Sequence, residues 1–91
     1  MKNSILEIDL TDEQFAALAN QTRRAILGAV YDAPMSPREI AEQIGGNMVS
    51  VKRHLQILLA CDLVLQSQRG NVREYRANHE VLSLCDKSAS I

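Results

Sequence analysis

"SPREIAEQIGGNMVSVKRHLQILLAC", residues 36–61, contains two short helical patterns separated by a pair of glycines. Ser36 and Glu39 have the spacing of a capping box, and Pro37 stands at the first helical position, where its missing N–H is no loss. The first pattern stops at Gly45, because glycine readily adopts the left-handed conformation that ends a helix. Two short helices joined by a glycine-containing turn predict a helix-turn-helix over residues 36–61.

The second helix of this pair has one apolar and one polar face. Val51, Leu55 and Leu58 recur one and two turns apart, which predicts a buried stripe. A helix N-terminus favours phosphate, and Arg or Lys side chains can pair with guanine. The candidate DNA contacts on this helix are therefore Asn47, Met48, Val49, Ser50, Lys52, Arg53, His54 and Gln56. A solvated cationic face is the alternative, and for His54 a partly buried structural position is equally open.

A β-hairpin is predicted for residues 63–77. Two stretches with strand-like alternation flank Gly70-Asn71, which is a two-residue turn signal. The tip carries three polar side chains that can reach the minor groove or nearby phosphates: Arg69, Asn71 and Arg73. Charges placed there only for solubility are the alternative.

The remaining segments have helical patterns. Thr11 and Gln14 have the spacing of a second capping box, and Asn20 can cap the helix that follows. That helix must end before Pro34, because the residue preceding a proline is pushed out of the α region. A last helix is predicted from Asn78. The fold class is therefore mainly α with a small β-hairpin, comprising about five helices and a two-stranded wing.

Three segments of the chain resemble the ArsR/SmtB family of bacterial repressors, which are winged helix-turn-helix proteins. "ALANQTRRAILGAV" resembles the family's opening Ala-Leu-Ala-Asp-Pro-Thr-Arg-Arg-x-Ile-Leu. "SPREIAEQIGGNMVSVKRHLQILLACDLV" is similar to its Leu-Ala-x-x-Leu-Gly and Val-Ser-x-His-Leu segment, and "QRGNVREYRA" resembles its wing. The resemblance covers about residues 15–77. The chain departs from the pattern with Lys52 in place of Ser, Asp62 in place of Gly, and a longer Gly45-Gly46-Asn47 turn.

The resemblance implies a homodimer paired through its first and last helices, here residues 1–19 and 78–91. Its recognition helices would enter successive major grooves of a palindromic operator. Apolar residues at both ends of the chain favour such pairing: Ile5, Leu6, Ile8, Leu10, Val81, Leu82, Leu84 and Ile91. The alternative is that they fold back on their own core. Arg23 and Arg24 match the family's paired arginines, for which a mainly structural role is expected and a phosphate contact stays open.

Composition and charge narrow the class of protein. Ninety-one residues, 46% of them hydrophobic and 23% charged, make one small domain over residues 1–91. The net charge is −1, but residues 36–76 contain six Lys or Arg against four Asp or Glu, so a polyanion would approach there. Neither a transmembrane run nor a leader is recognisable, which favours a cytoplasmic protein. No catalytic pattern stands out, so an enzyme is not expected.

Metal sensing in the family uses Cys-x-Cys at the start of the first helix of the helix-turn-helix, or Asp-x-His with later ligands in the last helix. Residues 35–39 contain no cysteine, and the last helix offers only His79-Glu80 and Cys85-Asp86. A tetrahedral zinc site needs about four converging ligands. The sequence therefore predicts no metal ion and no other cofactor.

Two cysteines leave a redox switch open. Cys61 closes the predicted recognition helix and Cys85 lies on the predicted last helix, so oxidation could couple the two. A disulfide needs Cα atoms within about 7 Å, and ordinary buried cysteine is the common alternative.

The function that these features favour is a sequence-specific double-stranded-DNA-binding transcriptional regulator. A repressor that acts as a homodimer on a palindromic operator is the form that the family resemblance implies. The alternative is a winged-helix module that binds another protein without binding DNA.

Overall fold

The computed structural model of the protein describes residues 10–83. A fifth helix, α5, begins at His79 and is described as far as Ser83. The other elements, in chain order, are α1 Asp12–Leu18, α2 Gln21–Ala29, α3 Pro37–Ile44, α4 Met48–Ala60, β1 Val64–Arg69 and β2 Val72–Ala77. This order confirms the predicted winged helix-turn-helix.

The helices α1 to α4 begin at the caps that the sequence predicts: Thr11, Asn20, Ser36 and Asn47. Thr11 and Ser36 form complete capping boxes. In each box the cap hydroxyl accepts from the backbone N–H three residues on, and the side chain of that third residue accepts from the backbone N–H of the cap. Helix starts are thus fixed by bonds between residues three apart in the chain.

The two helices of the helix-turn-helix both end in a left-handed residue. Gly45, with φ 74°, ends α3. At the end of α4, the Leu63 N–H donates to the Leu58 carbonyl at 2.9 Å and the Asp62 N–H donates to the Leu59 carbonyl at 3.1 Å, which is the Schellman arrangement. Asp62 has a φ of 65°. Among residues 10–83 it is the one non-glycine residue with a positive φ. It occupies the position where the ArsR/SmtB pattern has glycine.

The hairpin pairs β1 with β2 antiparallel, from Val64 opposite Ala77 to the turn at Gly70. Gly70 has φ 63° and is the first central residue of the turn. Tyr75 also exchanges two backbone hydrogen bonds with Met35, at 2.9 and 2.8 Å, in the connection between α2 and α3. The base of the wing is therefore tied to the helices.

The core consists of apolar side chains from the helices and from the base of the wing. The largest fully buried ones are Ile26, Val30, Ile40, Val51, Leu55, Leu58, Leu63 and Val64. Two polar side chains also join elements across this core: Gln14 of α1 donates to the Cys61 carbonyl at 2.8 Å, and Asn78 donates to the Asp62 carbonyl at 2.9 Å. The C-terminal end of α4 is consequently held by α1 and by the start of α5.

Candidate nucleic-acid interface

Helix α4 has the two faces that its sequence predicts. Val51, Leu55 and Leu58 are buried, with at most 1% of each residue exposed. Four of the predicted contacts on α4 are exposed: Val49, at 77%, Lys52, Arg53 and Gln56. Met48, Ser50 and His54 are half-buried at the edges of the outward face. Met48 packs against the core, so it supports the face more than it extends from it.

Asn47, which is also a predicted DNA contact, is the N-cap residue of α4. Its side-chain oxygen accepts from the Ser50 N–H at 2.8 Å and so caps α4. The cap fixes where the first turn of α4 begins and therefore where the exposed Val49 and Lys52 project.

A groove of about 670 Å³ lies between α4 and the wing. The described residues that line it come from the start of α3, from α4 and from the hairpin: Ser36, Pro37, Arg38, Met48, Lys52, Gln56, Gln68, Asn71, Val72, Arg73 and Tyr75. Arg38, Lys52 and Arg73 are cations, and no carboxylate is among these described lining residues. Such a groove attracts a phosphate backbone, because nothing within its described lining offsets the positive charge.

The hairpin register separates the two predicted arginines of the wing. Arg73 pairs with Gln68 on the face that lines the groove, since side chains on a strand alternate between faces. Arg69 lies on the opposite face, where its guanidinium is 2.7 Å from the Glu74 carboxylate. Glu74 is only 7% exposed, whereas the Arg69 side chain is 73% exposed. Arg69 is thus engaged by a buried carboxylate, while Arg73 faces the groove.

Arg69 also acts on the cap of α3. Hydrogen bonds from Ser36 lower the pKa of Glu39, and the positive charge of Arg69 lowers it further. The Arg69 guanidinium is therefore close to the carboxylates of Glu74 and Glu39. The cations of the groove, in contrast, have no carboxylate among the described lining residues.

The side of α4 that faces α2 has a different character. His54 lies there with Arg23 of α2 and Arg53 of α4 near enough to act on it electrostatically. Burial lowers the pKa of His54, and the charges of Arg23 and Arg53 lower it further. The neutral imidazole is therefore favoured in the protein without a ligand.

Six residues that line the groove were not predicted from the sequence as contacts, and two of them, Arg38 and Gln68, have long side chains that can donate hydrogen bonds. Arg38 follows Pro37 in the exposed first turn of α3, and Gln68 lies opposite Arg73 in the hairpin. Alternation could have placed Gln68, since it lies on the same face of the hairpin as Arg73. For Arg38, the positive charge was the only feature of the sequence that suggested a contact. Its position near the wing depends on how α3 packs on β2, which the sequence does not show directly.

The two cysteines cannot be compared as a pair, because Cys85 lies outside the described residues. Cys61 is half-buried at the end of α4, and its thiol donates to the Leu58 carbonyl at 3.6 Å. Burial raises the pKa of the Cys61 thiol, which disfavours the reactive thiolate.

Residues 10–83 contain no group of three or more His, Cys, Asp or Glu side chains placed to hold a metal ion. Over the same residues, no helix has the length and apolar character needed to cross a membrane.

A helix-turn-helix followed by an antiparallel hairpin, with a cationic groove between them, defines the winged helix-turn-helix class. The helix-turn-helix domain family matches residues 18–66 of this chain. The HTH-type transcriptional regulator KmtR of Mycobacterium tuberculosis is 36% identical over 74 residues, which are 81% of this chain and 57% of KmtR. The chain thus spans little more than half the length of that relative.

Two further proteins extend the comparison. The transcriptional repressor SdpR of Bacillus subtilis is 31% identical over 68 residues, covering 75% of this chain and 76% of SdpR. The solution structure of a homodimeric winged helix-turn-helix DNA-binding domain from Mycobacterium bovis is 27% identical with a TM-score of 0.72. The structural match covers 85% of this chain and 69% of the Mycobacterium bovis domain. This chain belongs to the ArsR/SmtB-type family of winged helix-turn-helix transcriptional regulators.

Proposed function

We propose that this protein binds double-stranded DNA sequence-specifically as a homodimer and represses transcription from a palindromic operator. The observation that carries the proposal is the groove in which Arg38, Lys52 and Arg73 meet without a carboxylate among the described lining residues. A backbone phosphate needs such surroundings, since each neutralised phosphate releases counterions and contributes to affinity. The names of the relatives, a transcriptional regulator and a transcriptional repressor, agree with this use.

Within this proposal α4 is the recognition helix. Lys52, Arg53 and Gln56 have the donors and acceptors to meet base edges or phosphates in the major groove. Val49 is exposed on the same cationic surface, although exposing an apolar side chain to water is unfavourable. We assign Val49 to a thymine methyl group, which is the apolar feature of the major groove.

The wing and α3 take the flanking phosphates. Arg73 and Asn71 reach the groove from the hairpin, and Arg38 reaches it from the first turn of α3. A strand of DNA in the groove would then be held from two sides, next to the bases that α4 reads. Contacts of this kind set the register of the protein on the duplex and add affinity that does not depend on sequence.

The homodimer is supported by the relative from Mycobacterium bovis and by the surface of α1. Phe15 of α1 is 44% exposed, within the segment 1–19 that is predicted to pair. Residues 1–9 and 84–91 of the predicted dimerisation segments lie outside the described part of the chain. A dimer would place two copies of α4 about 34–36 Å apart, one turn of the duplex.

The test uses the full chain, labelled DNA fragments from its own promoter region, and the variant Lys52→Ala/Arg53→Ala. Both side chains are exposed, so the variant should fold and dimerise as the wild type does. If each side chain contacts a phosphate, the slope of log K against log salt should fall by roughly 2.

The matched control is Arg76→Ala, which removes an exposed cation from the opposite face of the hairpin to Arg73. We expect it to bind like the wild type. Unchanged DNA binding by the double variant would mean that another face is used. A wild type that binds no DNA would favour the protein-interaction module instead.

A further inference from the structure

Three consecutive backbone carbonyls at the C-terminal end of α4 are bonded to groups outside the helix-turn-helix. Carbonyls beyond the last helical turn have no partner in the helix, so other groups must satisfy them. The Cys61 carbonyl accepts from the Gln14 side-chain amide at 2.8 Å. Asn78 donates to the next two, from its side-chain amide to the Asp62 carbonyl at 2.9 Å and from its backbone N–H to the Leu63 carbonyl at 3.0 Å. The donors thus come from α1 and from the residue that precedes α5.

Each of these two side-chain amides bonds two elements at once. The Gln14 oxygen accepts from the Thr11 N–H at 2.9 Å and completes the cap of α1, while the Gln14 nitrogen donates to α4. The Asn78 oxygen accepts from the Val81 N–H at 3.4 Å at the start of α5, while the Asn78 nitrogen donates to the Asp62 carbonyl. A carboxylate would cap either helix as well, but it has no N–H to donate to the end of α4.

The capping box of α3 shows that a cap alone does not need this arrangement. Glu39 closes the box of Ser36 with an exposed carboxylate, whereas Gln14 is only 8% exposed. Burying a polar side chain is unfavourable unless its polar atoms are hydrogen-bonded. The buried donor of Gln14 is therefore what distinguishes the box of α1, and its partner is the end of the proposed recognition helix.

The junction between α1 and the end of α4 is only partly filled by apolar packing. A groove of about 530 Å³ lies there, and its lining includes Glu13 and Gln14 of α1 and Ile57, Ala60 and Cys61 at the end of α4. Apolar packing is non-directional, whereas a hydrogen bond favours one distance and one angle. The bond from Gln14 to Cys61 therefore restrains the orientation of α4 relative to α1.

A small rotation at this end of α4 produces a large displacement at the end that is proposed to read DNA. Val49 lies about 18 Å along the helix from Cys61, at about 1.5 Å per residue. A rotation of about 10° around Cys61 would move Val49 by about 3 Å, close to the rise of one base pair. In a two-fold dimer both copies of α4 move, so their separation would change by up to about 6 Å, nearly two base pairs.

We propose that Gln14 and Asn78 are positioning residues, whose hydrogen bonds to the end of α4 set the distance between the two recognition helices and so the half-site spacing that the dimer accepts. The inference rests on the proposed binding of DNA by a homodimer. Both donors lie in the segments predicted to pair, residues 1–19 and 78–91. Each amide therefore connects a predicted dimerisation segment directly to α4. Gln14 should contribute more than Asn78, because its bond is partly buried and that of Asn78 is exposed to water.

The test compares the full-length wild type with Gln14→Glu, Asn78→Asp and the double variant. These changes preserve side-chain shape and the caps of α1 and α5, and they remove the donors to α4. The probe is the inverted repeat that the wild type enriches from a randomised duplex library, together with copies whose central spacer is one or two base pairs longer or shorter. The wild type should bind one spacing at least about tenfold more tightly than its neighbours, and the double variant should reduce that preference to below about threefold.

Thr11→Ala is the matched control. It removes the hydroxyl that caps α1 but leaves the bond from Gln14 to Cys61 in place. We expect it to lower the urea midpoint of unfolding and to keep the spacing preference of the wild type. If the double variant does not fold, Gln14→Glu alone serves as the test and should lower the preference more than Asn78→Asp does.

The spacing series separates failure of this inference from failure of the proposed function. A folded double variant with the spacing preference of the wild type would overturn the inference. So would an equal loss of affinity at every spacing, which is what the added negative charges alone would produce, or a wild type that accepts all spacings of its repeat. A wild type that enriches no inverted repeat would overturn the proposed function itself.

Discussion

Mutation of the two arginines of the wing should affect two different properties, DNA affinity for Arg73 and protein stability for Arg69. Arg73→Ala removes a cation from the groove, and we expect about tenfold weaker DNA binding and a salt slope smaller by about 0.9. Arg69→Ala should leave the salt slope nearly unchanged, because Arg69 lies on the other face and pairs with Glu74 at 2.7 Å. It should instead destabilise the protein, since Glu74 is only 7% exposed and would lose its partner.

The stability change can be bounded from the exposure of the two partners. Stranding a buried charged group costs about 1–3 kcal/mol, but the exposed guanidinium is screened by water, so we expect about 1 kcal/mol for Arg69→Ala. Urea unfolding measures this, and fluorescence anisotropy with a labelled duplex measures the salt slope. Glu74→Gln is the companion variant, and by releasing Arg69 it should strengthen non-specific DNA binding. Equal losses of DNA affinity in the two arginine variants would refute the separation of the wing faces.

Three further variants test the fold that carries the site. Asp62→Gly should stabilise the protein by about 0.5 kcal/mol, because glycine relieves the left-handed backbone at φ 65° but adds freedom to the unfolded chain; Asp62→Ala, which keeps the strain, is the control in thermal unfolding. Leu55→Ala should cost about 3 kcal/mol in urea unfolding, since Leu55 is fully buried, and a cost below about 1 kcal/mol would contradict its place in the core. His54 has a lowered pKa in the folded chain, so the unfolded chain takes up its proton first and stability declines as the pH falls below about 6.5. His54→Gln should remove that part of the decline, and an identical pH dependence in the variant would contradict the assignment.

Local signals in the sequence were enough to locate the elements of the fold. Thr11, Asn20, Ser36 and Asn47 each cap a helix through an atom only three residues away, so no knowledge of the tertiary structure is needed. The turn at Gly70 gave the hairpin for the same reason. The resemblance to the family singled out Asp62 as a departure, and the structure gives the reason, a left-handed backbone that favours glycine.

The arrangement of charges around α4 was beyond such local signals. Arg69 and Arg73 look equivalent in sequence, and only the strand register puts Glu74 beside one of them and the groove beside the other. Arg38 enters that groove because α3 packs against β2. The approach of Arg23 to His54 likewise depends on how α2 packs on α4. The set of contact residues predicted from sequence on α4 and the wing stays a prediction until DNA binding is measured.

Selection of bound sequences from a randomised duplex library, with the full chain as the binding protein, tests the central claim most directly. The account predicts an inverted repeat whose half-site centres lie about one helical turn apart, because two copies of α4 would read successive major grooves. The enriched motif should be lost with Lys52→Ala/Arg53→Ala and kept with Arg76→Ala. A folded wild type that enriches no motif, or that enriches the same motif after the double change, would contradict sequence recognition by α4.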